Sequence, residues 1–236
     1  MPDISFSALG DRAVIIQVGS SIDEATRRRV RAVCARLAAH PIPGMIEYVP
    51  AFASVAVHYD PARVPMRERA QNPYARMTEL LTGALGHLDD EALPPPRMVE
   101  IPVCYGGELG PDLDDVAHHH GLTADEVVRV HTGGDYLVHM IGFAPGFPYL
   151  GGLSERIATP RRREPRTLVP AGSVGIGGSQ TGVYPIASPG GWQLIGRTPL
   201  RLFAPERDEP ALLRAGDRVR FRAISRDEFL TWDVRA

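Results

Sequence analysis

The stretch whose reading decides the fold runs from His131 to Pro199: HTGGDYLVHMIGFAPGFPYLGGLSERIATPRRREPRTLVPAGSVGIGGSQTGVYPIASPGGWQLIGRTP. Gly supplies positive φ or close backbone approach, and Pro fixes φ and removes a donor, so their density marks a series of tight turns. Between the turns lie YLVHMIGF, TLVPAGSVGI, GVYPI and WQLIGRTPLRLF, short segments rich in β-formers. They predict a barrel or sandwich rather than a helical domain. The stretch also keeps its aromatics, unlike a disordered tract.

Its polar residues define a chemistry. Arg161, Arg162, Arg163, Arg166 and Arg197 occur beside Gln180, Tyr149, Tyr184 and Trp192, the makings of a polar pocket with an aromatic wall. Arginine next to Gly-rich backbone suits carboxylate or phosphate, through bidentate forks and free amides, and Arg161, Arg166 and Arg197 are the candidate anion contacts. Gln180 can donate and accept toward an amide or lactam, or close its own loop. Tyr149, Tyr184 and Trp192 wall the site or fill a small core. His131 and His139 titrate nearest to neutral pH, and His131 is the candidate general acid or base. Phe143 and Phe147 brace their loop or face a partner. Ser179 misses the nucleophile elbow because its second flanking glycine is displaced. No carboxylate pair lies within the motifs, so the stretch reads as a recognition half-site.

GFAPGFPYLGGL, Pro160 to Arg162, Pro165 to Arg166, PAGSVGIGGSQTGVYP and SPGGWQLIGRTP together resemble the signature of a known family. It comprises allophanate hydrolase subunit 1, the sporulation-kinase inhibitor and the B subunit of 5-oxoprolinase, and its fold recurs in the carboxyltransferase region of urea amidolyase. The resemblance implies a small amino-terminal α+β domain followed by a cyclophilin-like β-barrel. It also implies a homologous second subunit that completes the active pocket. In a 5-oxoprolinase a third component joins, and the complex opens 5-oxoproline to glutamate with ATP as co-substrate, none of it expected to bind this chain alone. Inhibition of a histidine kinase and an allophanate or urea carboxyltransferase role are the alternatives.

The remaining composition narrows the classes. The 236 residues carry a net charge of -2 and no lysine, since all 26 basic residues are Arg. A P-loop needs a lysine at the phosphates and a Schiff-base enzyme needs an amine, so neither chemistry can be done by this chain alone. The charge balance makes no case for nucleic acid or an anionic membrane. No apolar run is long enough to span a bilayer, and MPDISFSALGDR lacks a signal pattern; a cytoplasmic protein is expected. Cys34 and Cys104 are too few and too distant for a metal knuckle or disulfide framework.

In chain order, residues 4–18 read as two strands about Gly10 and Asp11. Ser21 and Glu24 form a capping box for a helix to about Ala39. GMIEYVP and ASVAVHY pair as a hairpin, and YARMTELLTGALGHL makes a second helix. This is an α+β layer over residues 1–92. DDEALPPPR, residues 89–97, is the joint, and a mainly-β domain fills 93–236. Within it PDLDDVAHHHG is a short helix, stopped at Gly121, whose consecutive His118, His119 and His120 cannot converge on one metal. Thr123 and Glu126 cap the helix TADEVVRVH. LRLFAPERDEPALLRAGDRVRFRAIS adds two strands, and Ser225 opens a last helical turn.

Overall fold

Gly10, at φ 63°, turns strand β1 (Ser5–Ala8) back on β2 (Ala13–Gln17). The structure, a computed structural model, describes residues 4–21, 23–67, 72–86 and 95–232. The chain divides into two units, Met1–Pro95 and Pro96–Ala236.

In the first unit β3 (Met45–Pro50) and β4 (Ser54–Tyr59) complete an antiparallel sheet of order β1-β2-β4-β3. Strand side chains alternate between faces. Val14 and Ile16 of β2 and Val55, Val57 and Tyr59 of β4 therefore share one face, in one core with Val33 and Leu37 of α1 (Glu24–Ala39) and Met77 and Leu81 of α2 (Pro73–Leu85). The cap of α1 differs from the capping box expected at Ser21. Asp23 is the N-cap, accepting from the Thr26 amide at 2.7 Å, while Ser21 donates its hydroxyl to Asp23. A carboxylate beside the first turn satisfies an orphan amide and complements the helix dipole. The second helix ends at Leu85; its expected last residues, 87 and 88, and residues 89–94 of the joint lie outside the described residues.

The second unit is built on a closed seven-strand barrel of order β10-β7-β6-β13-β5-β12-β9. Its strands are β5 (Met98–Tyr105), β6 (Tyr136–Ile141), β7 (Pro148–Gly151), β9 (Ser173–Gly177), β10 (Gln180–Val183), β12 (Gln193–Arg197) and β13 (Arg218–Ala223). Every pairing is antiparallel except β5 with β13. Ile101, Val103, Val138, Leu150, Val174, Ile176, Ile195 and Phe221 fill the core, joined by Leu113 and Val116 of α3 (Leu113–His120) and Val127 of α4 (Ala124–Thr132). Gly121 stops α3 at φ 63°, and Thr123 and Glu126 cap α4 reciprocally. Strand β8 (Arg166–Val169) pairs only with β11 (Ser188–Gly190), as a separate ribbon.

Of the two strands expected in 200–225, only β13 forms; Phe203 and Ala211 make a single bridge. Pro199, Pro205 and Pro210 supply no ladder donors over that segment. The last helix, α5 (Arg226–Leu230), is capped by Ser225, which accepts from the Glu228 amide. No described helix is long and apolar enough to cross a membrane.

Candidate functional site

Outside the barrel core lies a second, aromatic core of Phe147, Val169, Tyr184, Trp192 and Leu194. Phe147 is its hub, meeting Phe143, Tyr149, Tyr184 and Trp192 edge to face at 5.2 to 5.6 Å between centroids. Such pairs contribute about 0.5–1.5 kcal/mol each beyond area burial, so the rings hold one another rather than merely filling space. The glycines of the signature make room for them. A Cβ on Gly177 would stand 2.5 Å from Trp192 Nε1, and one on Gly182 3.0 Å from the same ring. The backbone of β9 and β10 is thus bare where the indole lies on it.

These rings open into a cleft of about 190 Å³, lined by Phe143, Tyr149, Arg161, Tyr184, Trp192 and Gly191 among others. That is smaller than a drug-sized site. Arg161 is exposed, with its guanidinium over the Trp192 ring at 5.8 Å, in cation–π range. Among the described residues no carboxylate pairs with Arg161. Phe143 is 65% exposed and held at φ 68°, the only described non-glycine residue in the left-handed region. A bulky residue there is strained, and such strain clusters at binding sites. Burial pushes the Tyr184 phenol up, and the Trp192 amide donates to it. The described lining contains no His, Asp, Glu or Cys. This cleft can hold a small ring bearing one negative charge; it carries no group that exchanges a proton near neutral pH.

The expected site residues therefore separate. Tyr149, Arg161, Tyr184 and Trp192 line the aromatic cleft. Arg166 and Arg197 instead line a neighbouring cleft of about 140 Å³. Arg166 is not presented as expected: both terminal nitrogens of its fork bond Asp112, at 2.9 and 2.8 Å. Arg197 donates Nε to the Ala171 carbonyl at 2.9 Å, and burial draws its pKa down. Gln180 opens β10 and lines none of these clefts. A third, polar cleft of about 420 Å³ is lined by Asp115, His119, Thr159, Arg162, Arg163, Glu164 and Gln193.

His131 is placed where acid–base work is out of reach. It is fully buried among Tyr105, Tyr136 and Phe221. Nδ1 is 2.8 Å from Tyr105 Oη and Nε2 is 3.0 Å from Thr181 Oγ1. The Thr181 hydroxyl donates to the Gly175 carbonyl, so it accepts from Nε2–H, and Nδ1 accepts from the tyrosine. Both nitrogens are satisfied in the neutral ring, and burial pushes the pKa down to about 3.

One residue that sequence reasoning passed over underlies the site, bonding the arginines that line its clefts. Asp112 was legible only as an acid at the start of α3, yet it is 2% exposed and accepts from Arg162, Arg166 and the Leu194 amide. Among the described residues no cluster of three or more His, Cys, Asp or Glu side chains could hold a metal ion.

The second unit is thus a closed barrel with an aromatic, arginine-lined cleft on its flank. Residues 4–213 match the carboxyltransferase domain family, subdomain C and D, and the chain belongs to that family. It is 49% identical to the B subunit of 5-oxoprolinase from Bacillus subtilis, over 94% of this chain and 93% of that one. It is 46% identical to the protein of the same name from Escherichia coli O157:H7, over 90% and 93%. The crystal structure of TTHA0988 superposes with a TM-score of 0.76 at 38% identity, covering 91% of this chain but only 40% of that longer one.

Proposed function

We propose that this chain is the B subunit of an ATP-dependent 5-oxoprolinase, and that its aromatic cleft receives 5-oxoproline. In this reading Arg161 takes the carboxylate, and Tyr149, Tyr184 and Trp192 enclose the lactam ring. Two relatives of nearly the same length carry that name. The observation that carries the division of labour is the lining of the cleft: one unpaired guanidinium, five aromatic rings, and no described side chain able to act as a base at neutral pH. A lysine-free chain likewise has no phosphate lysine to offer. In this reading ATP is the co-substrate of the assembled complex, handled by another chain, and the partner is a homologous second subunit, with a third component joining. The reading takes residues 1–92 as a small α+β domain and 93–236 as a cyclophilin-like barrel, which the division at Pro95 supports. His131 holds the barrel core rather than a proton in flight.

The test is 5-oxoproline-dependent release of ADP and glutamate by this chain with and without its partner subunits. Turnover is expected only in the assembled mixture. Full turnover by this chain alone would refute the division of labour, and none in the complete mixture would refute the substrate.

A further inference from the structure

Arg161 is fixed from both sides. The Pro160 carbonyl accepts from Gln193 Nε2 at 3.0 Å, and the Arg162 amide donates to the Gly191 carbonyl at 2.7 Å. Beneath this loop sits the Asp112 carboxylate. Oδ1 accepts from Arg162 Nη1 at 3.0 Å and Arg166 Nη2 at 2.8 Å; Oδ2 accepts from Arg166 Nη1 at 2.9 Å and the Leu194 amide at 2.6 Å. The Asp112 amide returns a bond to the Leu194 carbonyl at 2.9 Å. One carboxylate thus ties the start of α3, the two ends of the arginine loop and β12 together. Its lone pairs are fully engaged, the condition under which a buried charge is tolerated.

The consequence for charge is specific. Arg162 also lines the aromatic cleft, so without Asp112 that cleft would offer two guanidiniums. With Asp112 in place, Arg162 and Arg166 share a counter-charge and Arg161 alone faces the cleft unpaired. We propose that Asp112 is a positioning residue that sets the cleft to accept a ligand with one carboxylate and to disfavour one with two. On the functional reading above, on which this rests, Asp112 makes the site prefer the lactam, with its one carboxylate, over its product glutamate, which presents a second carboxylate together with an ammonium.

The experiment uses the assembled enzyme and measures KM for 5-oxoproline and the inhibition constant of glutamate. Asp112→Asn keeps the shape and removes the charge. The ratio of glutamate inhibition constant to KM is expected to fall about 10-fold or more, since charge-assisted contacts carry at least that much binding. The double variant Asp112→Asn with Arg162→Gln removes the guanidinium that the single variant leaves unpaired in the cleft and should bring the ratio back toward wild type, a coupling that a merely structural role would not show. Should Asp112→Asn fail to fold, Arg162→Gln removes one cation and should raise the ratio. An unchanged ratio in the folded single variant, or equal ratios in the single and double variants, overturns the inference while leaving an active wild type and the functional reading intact. An unchanged ratio in Arg162→Gln does the same. An inactive wild-type complex overturns the functional reading, and this inference with it.

Discussion

Acid should loosen the barrel through His131 in a way that one substitution can isolate. The ring is fully buried and its pKa is pushed down to about 3, against 6.5 for the free side chain. The folded value lies below the unfolded one, so the unfolded chain takes up the proton first as pH falls. The stabilisation is complete above the unfolded pKa, erodes between the two values and is fully lost below about pH 3. From about pH 8 to about pH 5 that uptake alone removes about 2 kcal/mol, at 1.36 kcal/mol per pKa unit. Both tryptophans, Trp192 and Trp232, lie in the second unit, so fluorescence-detected urea unfolding follows the barrel directly. His131→Gln should be less stable than wild type at about pH 8, by about 2–4 kcal/mol for a repacked core site. Its unfolding free energy should nevertheless fall with acid by about 2 kcal/mol less than wild type does. Parallel pH curves for the two proteins would refute the reasoning, because His131 would then be titrating as an ordinary solvated imidazole.

Three further outcomes follow from the cleft. Arg161→Ala should raise KM for 5-oxoproline about 10- to 100-fold with little change in kcat, and Arg161→Lys should recover only part, losing the planar contact over Trp192; a kcat effect without a KM effect would contradict the binding role. At Phe143, held at φ 68°, glycine should be more stable than alanine by about 1 kcal/mol or more, the reverse of the usual order, while both variants weaken substrate binding. Thermal melts of the two variants check this, and a more stable alanine variant would contradict it. Gly177→Ala drives a methyl toward Trp192 Nε1 and should cost about 1–3 kcal/mol, with a shift in tryptophan emission and a higher KM. Unchanged emission and KM would mean that the indole does not depend on that bare backbone.

What could be read from the chain was what local chemistry dictates. Gly10, Gly121 and the Thr123–Glu126 pair each announce a turn or an end within a few residues, and all sit where expected. The aromatic wall was legible for the same reason: Tyr149, Tyr184 and Trp192 travel with glycines that leave room for rings. What escaped were effects of depth and distance. His131 looks like an acid–base residue until burial removes its proton, and burial is a property of the folded neighbourhood. Asp112 meets Arg162 and Arg166 across 50 and 54 residues, a separation over which no periodicity carries a signal. Gln180 and Arg197 were grouped with Arg161 by sequence proximity, although neither lines the aromatic cleft. At Ser21 two polar residues competed for one cap, and the carboxylate of Asp23 won.

The parallel seam between β5 and β13 constrains how the molecule can be made. It joins Met98 to Arg218 through Val103 to Ala223, and Arg97 grips Asp217 in a two-pronged ion pair 120 residues away. Without β13 the strand circuit cannot close, and β5 and β6 would each keep an unpaired edge. So long a closure is entropically slow, and during that interval the nascent ribbon is exposed to pairing with its neighbours on the same polysome. A stop codon before residue 218 would therefore leave no smaller cylinder behind, only a permanently open sheet.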